Sequence, residues 1–137
     1  LMQTKRVLVM MGSESDRPTM DKGADILREA GVDVQVEVSS AHREPNRTAK
    51  IATEAAEQGF SVVICGAGLS AALPGVVAAH TTLPVIGVPV SAGTLGGLDA
   101  LLSVAQMPPG VPVAAVGIDN AKNAAHLALR ILDVPKD

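Results

Sequence analysis

Three clusters of side chains in this 137-residue chain have the types and spacing to do chemistry. The first is Ser39-Ser40-Ala41-His42-Arg43-Glu44-Pro45. An imidazole gives and takes protons near neutral pH, and the guanidinium beside it is a fixed cation able to clamp a phosphate through two parallel hydrogen bonds. The second cluster, Gly12-Ser13-Glu14-Ser15-Asp16, opens a helical pattern. Free backbone N–H groups, the helix dipole and the hydroxyls of Ser13 and Ser15 suit a small anion, while Asp16 repels phosphate and suits ribose hydroxyls. The same serines serve equally well as a plain helix cap. The third stretch, Gly66 to Gly75, is built of glycine and small residues, which allow close approach of backbone to a ligand or tight packing of helices. Together the mixture fits a phosphoribosyl ligand. It is not a Walker loop, because the lysine is missing, and it is not a dinucleotide fingerprint.

Other reactive side chains compete poorly. His80 closes a short helix and reads as a partner of that helix's C-terminal dipole, or as a surface residue. His126 lies among Ala124, Ala125 and Leu127, where core or interface packing is expected. Cys65 is the only cysteine, sits in an apolar run and has no sign of activation; it forms no disulfide framework and no metal-ligand spacing.

Loops of this kind need a scaffold, and the hydrophobic pattern supplies one. Val7 to Met11 and Ser61 to Cys65 are short continuous apolar runs, as in strands buried on both faces. Val32, Val34, Val36 and Val38 alternate, and Pro84 to Val88 and Val111 to Ile118 complete five strands. Between them lie helical patterns: Pro18 to Ala30, stopped by Gly31; Pro45 to Gln58, stopped by Gly59, with Ile51, Ala52, Ala55 and Ala56 facing inward; Val76 to His80; Leu98 to Ala105; and Asn120 to Leu132. Strict alternation of strand and helix predicts parallel strands, right-handed crossovers and helices on both faces. The expected fold is α/β, a three-layer sandwich around a parallel sheet in the flavodoxin-like order, as a single domain spanning residues 1–137. Neighbouring strands one, two and three would then bring the loops after Met11, Val38 and Cys65 to one carboxyl edge, where open α/β sheets bind ligands.

Composition narrows the classes. With one Phe, no Trp and no Tyr, the core must be aliphatic. A net charge of −3 and the absence of a Lys/Arg cluster argue against nucleic acid as a partner. The N-terminal Leu1 to Arg6 precedes only five apolar residues, too few for a signal-peptide core or a membrane span, so no membrane partner is expected and a reducing, cytoplasmic setting fits best. A mean hydropathy of +0.32 and the apolar helices Leu98 to Ala105 and Ala124 to Leu132 suggest more apolar surface than one domain hides, and hence a homo-oligomer.

The ordered motifs resemble one family. Met11-Gly12-Ser13-Glu14-Ser15-Asp16, Ser40-Ala41-His42-Arg43-Glu44-Pro45, Gly66-Ala67-Gly68 with Leu73-Pro74-Gly75, Leu83 to Val90 and Gln106 to Val113 are similar to PurE of purine biosynthesis, over about Arg6 to Leu132. Class I PurE is N5-carboxyaminoimidazole ribonucleotide mutase, which moves a carboxyl group from an exocyclic nitrogen to a ring carbon without ATP, cofactor or metal. The resemblance implies that His42 is the general acid/base and that Ser13, Asp16 and Arg43 hold the ribonucleotide. The wider substrate-binding set is Ser13, Ser15, Asp16, Ser40, Ala41, Arg43, Gly68, Leu69 and Leu73. It also implies carbon dioxide as a trapped reactant, and an octamer with sites at subunit junctions. One departure stands out. The class I third loop resembles Gly-Gly-Ala-Ala-His-Leu-Pro-Gly, whereas Gly68-Leu69-Ser70-Ala71-Ala72-Leu73-Pro74-Gly75 puts Ala72 in the histidine's place. Class II PurE, which carboxylates aminoimidazole ribonucleotide with carbon dioxide, lacks that histidine too but carries Gly-Arg-Ser-Asn. The alternatives to the mutase are therefore that carboxylase and a ribonucleotide-binding homologue without turnover.

Overall fold

The computed structural model describes residues 4–134; the first half of the N-terminal segment Leu1 to Arg6, residues 1–3, lies outside them. Five parallel strands form one sheet in the order β2-β1-β3-β4-β5. They are β1 (Arg6–Met11), β2 (Asp33–Val38), β3 (Val62–Gly68), β4 (Val85–Val90) and β5 (Ala114–Ala115). The crossovers contain α1 (Arg17–Glu29), α2 (Pro45–Glu54), α3 (Leu73–His80) and α4 (Leu98–Ala105), and α5 (Ala121–Ile131) follows β5. The expected flavodoxin-like sandwich is the observed fold.

The apolar run of β1 is explained by what covers it. Successive side chains of a strand point to opposite faces. Val7, Val9 and Met11 enter a cluster with Met20 and Leu27 of α1 and Ala124, Ala125 and Ala128 of α5. Leu8 and Met10 enter a second cluster with Ala52 of α2, Val77 of α3 and Val104 of α4. Both faces of the strand are thus core.

Several boundaries differ from the sequence reading. β3 does not stop at Cys65: Gly66, Ala67 and Gly68 pair with Val88, Pro89 and Val90, so these small residues are strand and the third loop begins at Leu69. A Cβ on Gly66 would stand 2.3 Å from Met20 Sδ, so the bare glycine lets the Met20 side chain of α1 lie against β3. α3 begins at Leu73, with Pro74 accommodated in its first turn. α2 ends at Glu54 rather than Gln58; the Phe60 N–H donates to Ala55 O at 3.2 Å, and the turns between them swing the Phe60 ring into the core. Ala56 is consequently exposed. β5 keeps only two ladder residues of the eight expected, because Pro112 offers no N–H and the segment lies at the sheet edge. His126 is exposed rather than packed in the core. No helix among the described residues is long and apolar enough to cross a membrane.

Candidate active site

The central strands put their carboxyl ends side by side. Met11 pairs with Val38 on one side and Gly66 on the other. Beyond the ladder, Ser39 N–H donates to Met11 O at 2.9 Å and Gly12 N–H to Gly66 O at 3.1 Å. The loops leaving β1, β2 and β3 therefore start in contact, and a cleft of about 440 Å³ opens between them. Every residue singled out from the sequence lines it: His42, Ser13, Ser15, Asp16, Ser40, Ala41, Arg43, Gly68, Leu69 and Leu73.

Each wall has a local cause. On the β2 side, Ser39 and Thr48 are both fully buried and share a 2.7 Å hydroxyl hydrogen bond that ties the loop to α2. Ser40 Oγ accepts from Arg43 N–H at 3.1 Å, and Glu44 N–H donates to Ser40 O at 2.8 Å, closing a tight turn. His42 and Arg43 project from that turn, both exposed. Among the described residues neither side chain has a hydrogen-bond or ion-pair partner, so the cation and the imidazole are uncommitted. Arg47 behind them is occupied with Glu37 at 2.8 Å.

On the β1 side, Ser13 Oγ caps a 3-10 turn at Glu14–Asp16 by accepting from Ser15 N–H at 3.2 Å, and the two hydroxyls share a 2.9 Å hydrogen bond. The capping role and the cleft-lining role thus belong to the same serine. Asp16 is almost completely buried, and burial raises its carboxyl above the usual carboxylate range; a hydrogen bond from the Ser13 backbone pulls the other way, and the nearby charge of Asp119 adds to the rise. On the β3 side, Leu69 adopts a left-handed φ of 56° and is 54% exposed, and Ala71 N–H donates to Leu69 O at 2.8 Å before α3 begins. Ala72 lines the cleft there with a methyl group.

The sequence reading did not find the fourth wall. Ala92, in the loop after β4, also faces the cleft. That loop is held by Asp119, whose carboxylate accepts from Ser91 N–H at 2.8 Å and Ser91 Oγ at 2.6 Å. The two residues are 28 apart; the only local signal was an Asp-Asn pair ahead of a helix, and such residues tolerate the left-handed backbone seen at Asp119, φ 60°. Elsewhere, His80 Nδ1 lies 2.9 Å from Val76 O at the end of α3, away from the cleft, as its position suggested. Cys65 is wholly buried between sheet and helices, and burial pushes its thiol up, which leaves no reactive thiolate.

Comparisons with known proteins agree with this geometry. The AIR carboxylase family profile matches residues 6–137. The N5-carboxyaminoimidazole ribonucleotide mutase of Pyrococcus horikoshii is 56% identical over 126 residues, 92% of this chain and 71% of that protein. The phosphoribosylaminoimidazole carboxylase of Candida albicans is 54% identical over 124 residues, 90% of this chain but 22% of that protein. A crystal structure of Treponema denticola PurE superposes with a TM-score of 0.85 at 31% identity, covering 96% of this chain and 82% of that one. With its loops, its strand order and nearly its whole length accounted for in this way, the chain belongs to the AIR carboxylase family, the PurE proteins its motifs resemble.

Proposed function

We propose that this chain is an N5-carboxyaminoimidazole ribonucleotide mutase of purine biosynthesis, an isomerase working as one α/β domain, without ATP or metal, in the cytoplasm. The observation that carries the reading is a single cleft holding an uncommitted His42 and Arg43 opposite the Ser13–Asp16 turn, in a chain 56% identical to a mutase over nearly its full length. Arg43 and the hydroxyls of Ser13 and Ser15 hold the phosphate, and Asp16 takes ribose hydroxyls. Ser40, Ala41, Gly68, Leu69 and Leu73 enclose the base.

The chemistry balances with one proton carrier. The exocyclic N–C bond of the carbamate breaks, carbon dioxide leaves, and the nitrogen takes a proton. The electron-rich ring carbon of the resulting aminoimidazole ribonucleotide then attacks the carbon dioxide and surrenders its own proton. His42 gives the first proton and accepts the second, ending each turnover as it began. Holding both reactants in one cleft makes the second step effectively intramolecular.

Ala72 favours a second reading, direct carboxylation of aminoimidazole ribonucleotide, because the class I pattern has an imidazole at that position. Paired assays without ATP separate the two. Conversion of the N5-carboxy substrate at low bicarbonate is expected, with a fall of roughly a hundredfold or more in kcat for His42→Ala and a much smaller change in ligand affinity. Product from aminoimidazole ribonucleotide and bicarbonate alone would make the chain a carboxylase, and binding without either conversion would make it a ribonucleotide-binding homologue.

A further inference from the structure

β5 leaves its ladder by a step that a regular strand does not take. Val116 N–H donates to Gly87 O at 3.1 Å, and in a regular parallel ladder the next N–H to donate, to Pro89 O, would be that of Ile118. Asp119 N–H takes that place instead, at 2.8 Å, so one extra residue is inserted beside β4. Such insertions bend a strand and re-aim a side chain, and they gather next to active sites. Here the backbone turns left-handed at Asp119, φ 60°, and Ile118 packs on the bare backbone of Gly97.

The re-aimed side chain is the Asp119 carboxylate. Its Oδ1 accepts from Ser91 N–H at 2.8 Å and its Oδ2 from Ser91 Oγ at 2.6 Å, so both oxygens close on one residue. Asp119 and Ser91 are exposed and neither fills the core; what the pair fixes is the path of the chain leaving β4. That path carries Ala92 into the cleft wall. A Cβ added to Gly68 would stand 3.0 Å from Ala92 Cβ, so the methyl lies directly over the last residue of β3. The clasp is also near enough to the Ser13–Asp16 turn for the charge of Asp119 to act on the Asp16 carboxyl.

Resting on the mutase reading, we infer that Asp119 is a positioning residue for the ribonucleotide: through Ser91 it sets the β4 wall of the cleft at the spacing from the Ser13–Asp16 turn that the ligand requires. It takes no part in the proton transfers. A wall already ordered spares the ligand the cost of ordering it, which strengthens binding equally in the ground state and in the transition state.

Four variants test this. Asp119→Gly removes the clasp and relieves the left-handed backbone, whereas Asp119→Ala removes the clasp and keeps the strain. Asp119→Asn keeps both bonds, because its amide oxygen accepts from Ser91 N–H, its amide N–H donates to Ser91 Oγ, and asparagine tolerates the left-handed state. Ser91→Ala takes away the hydroxyl half. KM and kcat for the N5-carboxy substrate are measured, together with the melting temperature and, by calorimetry, affinity for aminoimidazole ribonucleotide. Asp119→Gly is expected to raise KM and weaken affinity about fivefold or more while kcat stays within about twofold, and to melt above Asp119→Ala. Asp119→Asn should stay near the wild type. Ser91→Ala should weaken affinity less than Asp119→Gly does, and adding it to Asp119→Gly should change nothing further. A folded Asp119→Gly protein with wild-type KM and affinity overturns the positioning role. So does an Asp119→Asn protein as impaired as Asp119→Gly, which would make the charge rather than the clasp the cause. A wild-type protein that makes no carboxylated product overturns the mutase reading instead, and the affinity series then decides the role; a wild type that does not bind aminoimidazole ribonucleotide either overturns both.

Discussion

Asp16 lines the cleft at a cost to the fold. Its carboxyl lies in the cleft wall with little of the residue exposed, and burial raises it above the range it has in the unfolded chain. A carboxyl raised in the folded state holds its proton more tightly there, so it contributes nothing unfavourable below the unfolded carboxylate range and becomes destabilising as pH rises through the folded value. Asp16→Asn removes that burden in the same shape. The variant is expected to melt above the wild type at pH 7, with the gap closing as pH falls to about 4, where the unfolded carboxyl titrates. Its affinity for the ribonucleotide should fall, because a carboxylate acceptor for the ribose is lost. Differential scanning calorimetry from pH 3 to 8 checks the sign: a wild type more stable than the variant at neutral pH would mean that the Ser13 backbone bond outweighs desolvation. At this scale the lining of the candidate site was legible. His42, Arg43 and the serines announce their chemistry by residue type, and punctuation by Gly and Pro placed them in loops. The backbone state of Leu69 was not legible, since no propensity predicts a left-handed leucine; the strand geometry on both sides of it decides. Nor was the Ser91–Asp119 bond, which exists only because the ends of β4 and β5 are neighbours.

Between elements, packing decides where the sequence pattern is ambiguous. Gly66 and Ala67 read as loop because small residues carry little strand propensity, yet they continue β3, Gly66 pairing with Met11 and Val88 and Ala67 with Pro89. Val111 to Ile118 read as a long strand on β-propensity, yet only Ala114 and Ala115 pair. Propensity measures fit to a half-buried pleated surface, and an edge position beside Pro112 offers less of that surface than the sequence implies. The central strands, by contrast, were legible to within about two or three residues, because burial on both faces forces an unbroken apolar run. The contact between α1 and β3 gives a test of this packing. Gly66→Ala places a methyl 2.3 Å from Met20 Sδ, so the methionine must shift within the core, and overpacking of this type costs about 1–3 kcal/mol. Met20→Ala alone leaves a void and costs about 2–5 kcal/mol. In the double variant the new methyl occupies part of the space the methionine leaves. The two losses should therefore fall short of additivity by about 0.5–3 kcal/mol in urea denaturation. Additive losses would show that the glycine serves some purpose other than making room for Met20.

At the scale of the whole molecule, the apolar side chains that the fold does not bury are concentrated near one edge. Leu95, Leu98 and Leu102 are 60%, 52% and 50% exposed and recur at three- and four-residue spacing at and just before α4. Ile118, in the loop that packs on Gly97, is 39% exposed. In the same segment, Asp99 Oδ1 is buried with no hydrogen-bond partner among the described residues. An unpaired buried carboxylate oxygen is costly, but atoms of this chain already cover it, so it says nothing for a second subunit seated on the leucines. Light scattering of the wild type is expected to give a multiple of the 13.9 kDa chain, eight being the number the PurE resemblance implies. Leu98→Asp with Leu102→Asp should give smaller species, since each puts a charge into an apolar interface. Asp99→Ala removes the orphaned oxygen and is expected to be neutral or stabilising by thermal melting, whatever the state of association. A wild-type monomer peak at working concentration would overturn the assembly, and a double leucine variant that stays as large as the wild type would move the interface elsewhere on the surface.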